Sequence, residues 1–129
     1  MSPNPTVLFV CLHGAAKSVL AAADFERLAA ARGVSLGAAA AGVEPDPAVS
    51  PAVARLLLAE GVDVRTQQPR KVTAADLRSA WRVVSFGCDL QDVAPDVPVL
   101  RWDEVPMVGD EPSRARAAIA ARLPELLES

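Results

Sequence analysis

The stretch from Thr6 to Ser18, TVLFVCLHGAAKS, constrains the fold more than any other part of the chain. Val7 to Val10 is an uninterrupted apolar run, the pattern of a strand covered on both faces, and it ends on Cys11. The small-residue loop Leu12 to Ala16 follows, and Lys17-Ser18 open an alanine-rich helix. Strand, loop and helix in this order deliver the cysteine to the carboxyl edge of a sheet. They also point successive backbone N–H groups, with those of the helix N-terminus, at one spot. A tetrahedral oxyanion fits there, and helix N-termini and nearby cations favour the thiolate form of a cysteine. Cys11 is therefore a candidate nucleophile, and Leu12, His13, Gly14, Ala15, Ala16, Lys17 and Ser18 form a candidate oxyanion cradle. A cysteine at a strand end also reads as a small buried hydrophobe, but packing alone does not require a glycine-containing loop into a helix start. The segment is not a Walker A loop, because it lacks the glycines that G-x-x-x-x-G-K-[ST] demands.

At 129 residues the chain fits one domain spanning 1–129 around a single core. A net charge of −3 argues against a general nucleic-acid or membrane surface, so a bound anion must be held by local geometry. No apolar run approaches the ~18–20 residues of a membrane span, and MSPNPT lacks a signal pattern; a cytoplasmic location is expected. With only Cys11 and Cys88 in such a compartment, reduced or transiently paired thiols are favoured over a structural disulfide. One histidine and two separated cysteines make a poor metal set, so no metal is expected.

The first helix should run to about Ala31, burying Leu20, Phe25 and Leu28, with Gly33 stopping it. A second strand is expected over Val34 to Ala41, followed by the punctuated loop GVEPDPAVSP. Ser50 caps a helix that begins at Pro51 and ends at Gly61, with Val53, Leu56 and Leu57 inward. Thr73 and Asp76 resemble a capping box. Arg82 to Phe86 and Val97 to Trp102 read as strands three and four. Ser113 to Glu128 reads as a final helix bent by Pro124, with Ile119, Leu123, Leu126 and Leu127 inward. Strands alternating with helices imply parallel pairing with right-handed crossovers. The expected fold is an α/β three-layer, doubly wound, four-stranded parallel sheet. Its ligand crevice lies at the carboxyl edge beside the first strand, where Cys11, Cys88 and Asp103-Glu104 converge.

The sequence from Cys11 to Ser18 resembles the signature of the low-molecular-weight protein tyrosine phosphatase superfamily: a cysteine, five residues, an arginine and a serine or threonine after an apolar strand. Within it, Cys11-Leu12-His13-Gly14-Ala15-Ala16-Lys17-Ser18 is similar to the C-x-H-N-A-G-R-S of the arsenate reductase branch. The likeness continues through Ala41 to Pro45, Val49 to Val53, Glu60 to Asp63, Val83 to Cys88 and Arg101 to Asp103. The resemblance implies the same fold, no bound cofactor, and a small oxyanion as substrate. Three departures stand out. Lys17 replaces the arginine, offering a point charge where a planar fork would grip two oxygens. Gly14 replaces an asparagine that would brace the loop, so a less rigid cradle is expected. The family's general acid, an aspartate in an Asp-Pro pair after the fourth strand, has no counterpart; Met107-Val108 occupy its place, and Asp103 or Glu104 substitute by proximity.

Two readings of His13 stand, one as a cation or orienting group beside Cys11 and one as a loop residue facing away. Ser18 can hydrogen-bond the thiolate or simply cap the helix. Cys88 is either a second redox thiol, as the resemblance implies, or core packing. The third cysteine of the family's Asp-Val-Cys-Pro pattern is here Ala94, in Asp92-Val93-Ala94-Pro95, which excludes the usual three-cysteine relay and leaves a two-cysteine scheme or an external thiol reductant. Three functions follow: an arsenate reductase-like thiolate enzyme, a phosphomonoester hydrolase using the same first step, or an impaired homologue that binds an oxyanion or partner without turnover.

Overall fold

A computed structural model describes residues 5–109 and 112–127. The elements run β1 (Thr6–Cys11), α1 (Lys17–Ala31), β2 (Gly37–Gly42), α2 (Pro51–Ala59), α3 (Ala74–Ser79), β3 (Arg82–Ser85), β4 (Leu100–Arg101), α4 (Ser113–Arg122) and α5 (Pro124–Leu127). The sheet order is β2-β1-β3-β4, parallel throughout. β1 lies between β2 and β3, so the chain leaves it in one direction and later returns on the other side. That reversal opens a crevice at the carboxyl end of β1, where Cys11 stands.

Alternation along β1 explains why its residues are apolar without a break. Val7, Phe9 and Cys11 face one core, shared with Leu20 and Phe25 of α1, Val53 and Leu57 of α2, and Ile119 of α4. Leu8 and Val10 face the other, with Leu77 of α3, Val83, Leu90 and Cys88. The first layer is the thicker one. Phe9 sits at its centre, with ring centroids 6.0–6.2 Å from Phe25, Phe86 and Trp102. The second layer has α3 as its helix and is completed by loops.

The second strand begins at Gly37, three residues later than the sequence suggests. Val34 donates its N–H to Ala29 O (2.9 Å) and finishes the end of α1 beyond Gly33, which has φ +68°. β4 is limited to Leu100–Arg101, although Trp102 still donates to Ser85 O. The terminal helix divides at Leu123 before Pro124, as proline's missing donor requires, into α4 and α5. Glu128, its expected end, lies outside the described residues. Ser50 caps α2, and Thr73 and Asp76 close a capping box on α3.

Candidate active site

Residues 12–16 form a loop that uses its carbonyls and leaves its donors free. The carbonyls of Cys11, Leu12, His13 and Ala15 accept from the N–H groups of Val43 (3.3 Å), Glu44 (2.7 Å), Asp46 (3.0 Å) and Ser50 (2.8 Å). Among the described residues, no N–H from Leu12 to Ala16 donates to a backbone carbonyl. α1 then begins without a side-chain cap and without an acidic residue in its first turn. Unspent donors beside an uncapped helix start are suited to bind an anion.

Bracing of this loop comes from backbone contact and not from an asparagine side chain. Gly14 has φ +61°, and a Cβ there would lie 2.7 Å from the N of Gly42. A Cβ on Gly42 would lie 2.5 Å from the N of Gly14. Two glycines therefore stack the loop directly on the end of β2, which itself is tied by Gly42 N–H to Arg70 O and Gly42 O to Val72 N–H. The loop is held more firmly than the loss of the asparagine suggests.

Cys11 is buried, with Sγ 3.1 Å from Ser18 Oγ, and Ser18 is fully buried. A buried hydroxyl on the first turn has little reason to be there except to serve the sulfur. Lys17 Nζ donates to Val105 O at 3.0 Å, linking the start of α1 to the loop after β4. Cys11, Lys17, His13, Cys88 and Asp46 all line one cavity of about 580 Å³, walled by Val43, Phe86, Met107 and Val108.

Cys88 reaches this cavity from the second core. Ser85 Oγ donates to Cys88 O (2.6 Å) and accepts from its N–H (3.0 Å), which fixes the turn after β3. Burial pushes the Cys88 thiol above the usual range and a charge on Cys11 adds to that, while Lys17 opposes it. Cys11 and Cys88 thus meet at one cavity, as the parallel-sheet reading expects.

Asp103 and Glu104 do not line that cavity. Asp103 accepts from Gly87 N–H (3.0 Å) and pairs with Arg101; Glu104 pairs with Arg122 (2.6 Å). Both turn toward the outer surface, where arginines neutralise them. The structure thus places neither of the sequence-predicted proton donors, Asp103 and Glu104, on the cavity lining. The loop after β4 contributes Met107, Val108 and Gly109 instead. Sequence reasoning missed Asp46, whose Oδ1 is 3.3 Å from His13 Nδ1. The available signal was an Asp-Pro pair, Asp46-Pro47, in a different loop. Among the described residues, no group of three or more His, Cys, Asp or Glu is placed to hold a metal ion, and no helix is long and apolar enough to cross a membrane.

Residues 6–104 match the low molecular weight phosphotyrosine protein phosphatase family. The chain belongs to that family. Among solved structures, it is similar to the thioredoxin-dependent arsenate reductase of Corynebacterium glutamicum, with 31% identity and a TM-score of 0.79 over 98% of this chain and 62% of that one. The chain thus spans less than two thirds of that enzyme's length. It is similar to an arsenate reductase from Archaeoglobus fulgidus, with 31% identity and a TM-score of 0.78 over 95% of this chain and 99% of that one. A low molecular weight protein tyrosine phosphatase from T. tengcongensis shares the fold at 22% identity, with a TM-score of 0.74 over 96% and 98% of the two chains. No curated protein matches the chain. The match takes in the whole loop from Leu12 to Ser18.

Proposed function

We propose that the protein reduces arsenate with its own two cysteines. The observation that carries this is that Cys11 and Cys88 line the same cavity although they belong to cores on opposite faces of the sheet. Cys11 thiolate attacks arsenic, a sulfur–arsenic bond forms, and one oxygen leaves as water after taking a proton. The N–H groups of the loop and Lys17 hold the charged oxygens. Cys88 sulfur then attacks Cys11 sulfur; the sulfur–arsenic bond breaks with its electron pair on arsenic, giving arsenite and a Cys11–Cys88 disulfide. Two thiols are oxidised and arsenic(V) becomes arsenic(III). Charge on Cys11 helps to keep Cys88 protonated, so consuming that charge in the adduct readies Cys88 for its step.

An external dithiol must reduce the disulfide, and the thioredoxin dependence of the C. glutamicum relative supports one as reductant. With alanine at position 94, exchange falls directly on the Cys11–Cys88 bond. Such a bond requires Cα atoms within about 7 Å.

The test is mass spectrometry of protein quenched after arsenate treatment, alongside turnover with dithiol. A Cys11–Cys88 disulfide, lost with dithiol-driven turnover in Cys88→Ser, is expected. Free thiols throughout, or a Cys88→Ser protein with full activity, would overturn the two-cysteine scheme. Hydrolysis of phosphomonoesters is a second reading, favoured by cavity size: the walls of Val43, Phe86 and Met107 leave room beyond a tetrahedral anion for an apolar leaving group. Hydrolysis of an aryl phosphate that survives Cys88→Ser but not Cys11→Ser would establish it. Wild-type rates equal to those of Cys11→Ser on both substrates would leave only binding.

A further inference from the structure

Attack by Cys11 requires a proton for the departing oxygen, and among the described residues the loop after β4 places no carboxylate on the cavity lining. Acidic side chains reach the lining from two other loops, Asp89 after β3 and Asp46 after β2. Asp89 Oδ1 accepts from Gln91 N–H (2.9 Å) in its own turn. Asp46 instead addresses His13, the single histidine of the chain, two residues from the nucleophile. His13 Nδ1 lies 3.3 Å from Asp46 Oδ1 and 3.1 Å from Glu44 O. The Asp46 N–H also donates to His13 O (3.0 Å), so backbone and side chain fix the pair together.

A carbonyl and a carboxylate can only accept, so Nδ1 carries a hydrogen in this arrangement. Nε2 is then the working atom, and it has no hydrogen-bond partner among the described residues. Its role is donor when the ring is an imidazolium and acceptor when it is neutral. A ring oriented by an acid through one nitrogen, on a residue that lines the cavity two positions from the nucleophile, has the make-up of a general acid–base group.

We propose that His13, oriented by Asp46 and the Glu44 carbonyl, is the general acid of this site, doing from the oxyanion loop what the family's aspartate does from the loop after β4. The proposal rests on the reading that Cys11 attacks an oxyanion. As the sulfur–arsenic bond forms, the bond to one oxygen breaks, and the Nε2 proton passes to that oxygen, which departs as water. The ring is left neutral and regains a proton from solvent. With a phosphomonoester the same proton makes the leaving alcohol or phenol. Asp46 is a positioning residue, since it acts through the ring.

The experiment compares wild type, His13→Gln, His13→Ala and Asp46→Asn on arsenate with excess dithiothreitol, on dinitrophenyl phosphate and on phenyl phosphate. Phenolate needs a proton far more than dinitrophenolate does. We expect His13→Gln to lower kcat for arsenate by about 10²–10³, within the range for general acid catalysis, with KM changed by less than about threefold. Phenyl phosphate should suffer at least about ten times more than dinitrophenyl phosphate, and added imidazole should restore His13→Ala. Asp46→Asn should show the same leaving-group dependence with a smaller loss. Since His13 is half exposed, its removal should leave the thermal midpoint in place. A His13→Gln protein with kcat within about threefold of wild type, or a loss equal for every substrate and untouched by imidazole, overturns the assignment. Wild-type protein as inert as Cys11→Ser on all three substrates overturns the underlying reading itself, so the two failures are distinguishable.

Discussion

At the start of α3, Thr73 Oγ1 accepts from Asp76 N–H (3.1 Å) and Asp76 returns the bond to Thr73 N–H (2.9 Å). At the start of α1, Ala16 offers no acceptor and no carboxylate sits in the first turn. Both helices have the same orphan donors. α3 spends them on its own side chains, while α1 leaves them open where Cys11 and the cavity meet. The short helix, with Leu77 as its buried anchor, needs its cap. The long one has Leu20, Ala21 and Phe25 fully buried and tolerates an empty N-terminus. An uncapped helix start can be afforded only where packing holds the helix independently, and that is where the anion site is built.

The severest way to break this comparison is at the glycine stack under the open end. Gly14→Ala must adopt a left-handed backbone and also meet Gly42 N at 2.7 Å. A loss of about 3 kcal/mol or more is expected in denaturant unfolding, with loss of anion protection of Cys11. Gly33→Ala has the same positive φ but nothing within 4 Å, and should cost only about 1–2 kcal/mol. Equal costs would mean that the stack does not brace the loop.

Next comes conversion of one end into the other. Ala16→Asp gives α1 an acceptor of its own, so affinity for phosphate or arsenate by calorimetric titration should fall about 100-fold, while unliganded stability rises by about 0.5–2 kcal/mol. Unchanged affinity would show that the anion does not use these donors. Lys17→Arg sharpens the site in the opposite direction. A planar fork reaching the anion should improve affinity by about 1–2 kcal/mol; weaker binding would show that the Val105 contact has rebuilt the pocket around lysine.

Thr73→Ala should cost about 1 kcal/mol of stability and leave turnover untouched, because α3 has no part in the cavity. The smallest effect is acid sensitivity. Burial pushes the Asp76 carboxyl up, but the N–H and hydroxyl of Thr73 and the Arg70 guanidinium outweigh it, and the net direction is down. Glu60 is held at about 2 by Arg116 first, against burial, with Arg27 assisting. Carboxyls depressed in the folded state contribute stability that is present above their unfolded values near 4 and is lost as pH falls toward 2. Unfolding midpoints should therefore decline below about pH 4, less steeply in Asp76→Asn.

What the sequence made legible was local. β1, the loop and the start of α1 are contiguous, and hydrophobic alternation with a glycine-containing turn specifies them. The convergence of Cys11 and Cys88 followed from parallel topology alone. The direction of Asp103 did not, because β4 is only two residues long and beyond its end the chain can face either side; here Gly87 N–H and Arg101 draw the carboxylate away. Asp46 was read as part of a turn because its partner, His13, is 33 positions earlier and the contact depends on β2 pairing beside β1. The alanines of β2 likewise gave no period by which to place its start.

Arg116 of α4 reaches both Asp24 of α1 (2.8 Å) and Glu60 at the end of α2 (2.7 Å), and Ile119 one turn later is fully buried. Arg116 and Ile119 both lie beyond residue 104, where the family match ends. A fragment trimmed to that match would keep every residue of the oxyanion loop yet open the α1 side of the core to water and leave two carboxylates sharing Arg27. Minimal versions of this protein built from the family boundary should be insoluble or molten, and a fusion or affinity handle belongs after α5.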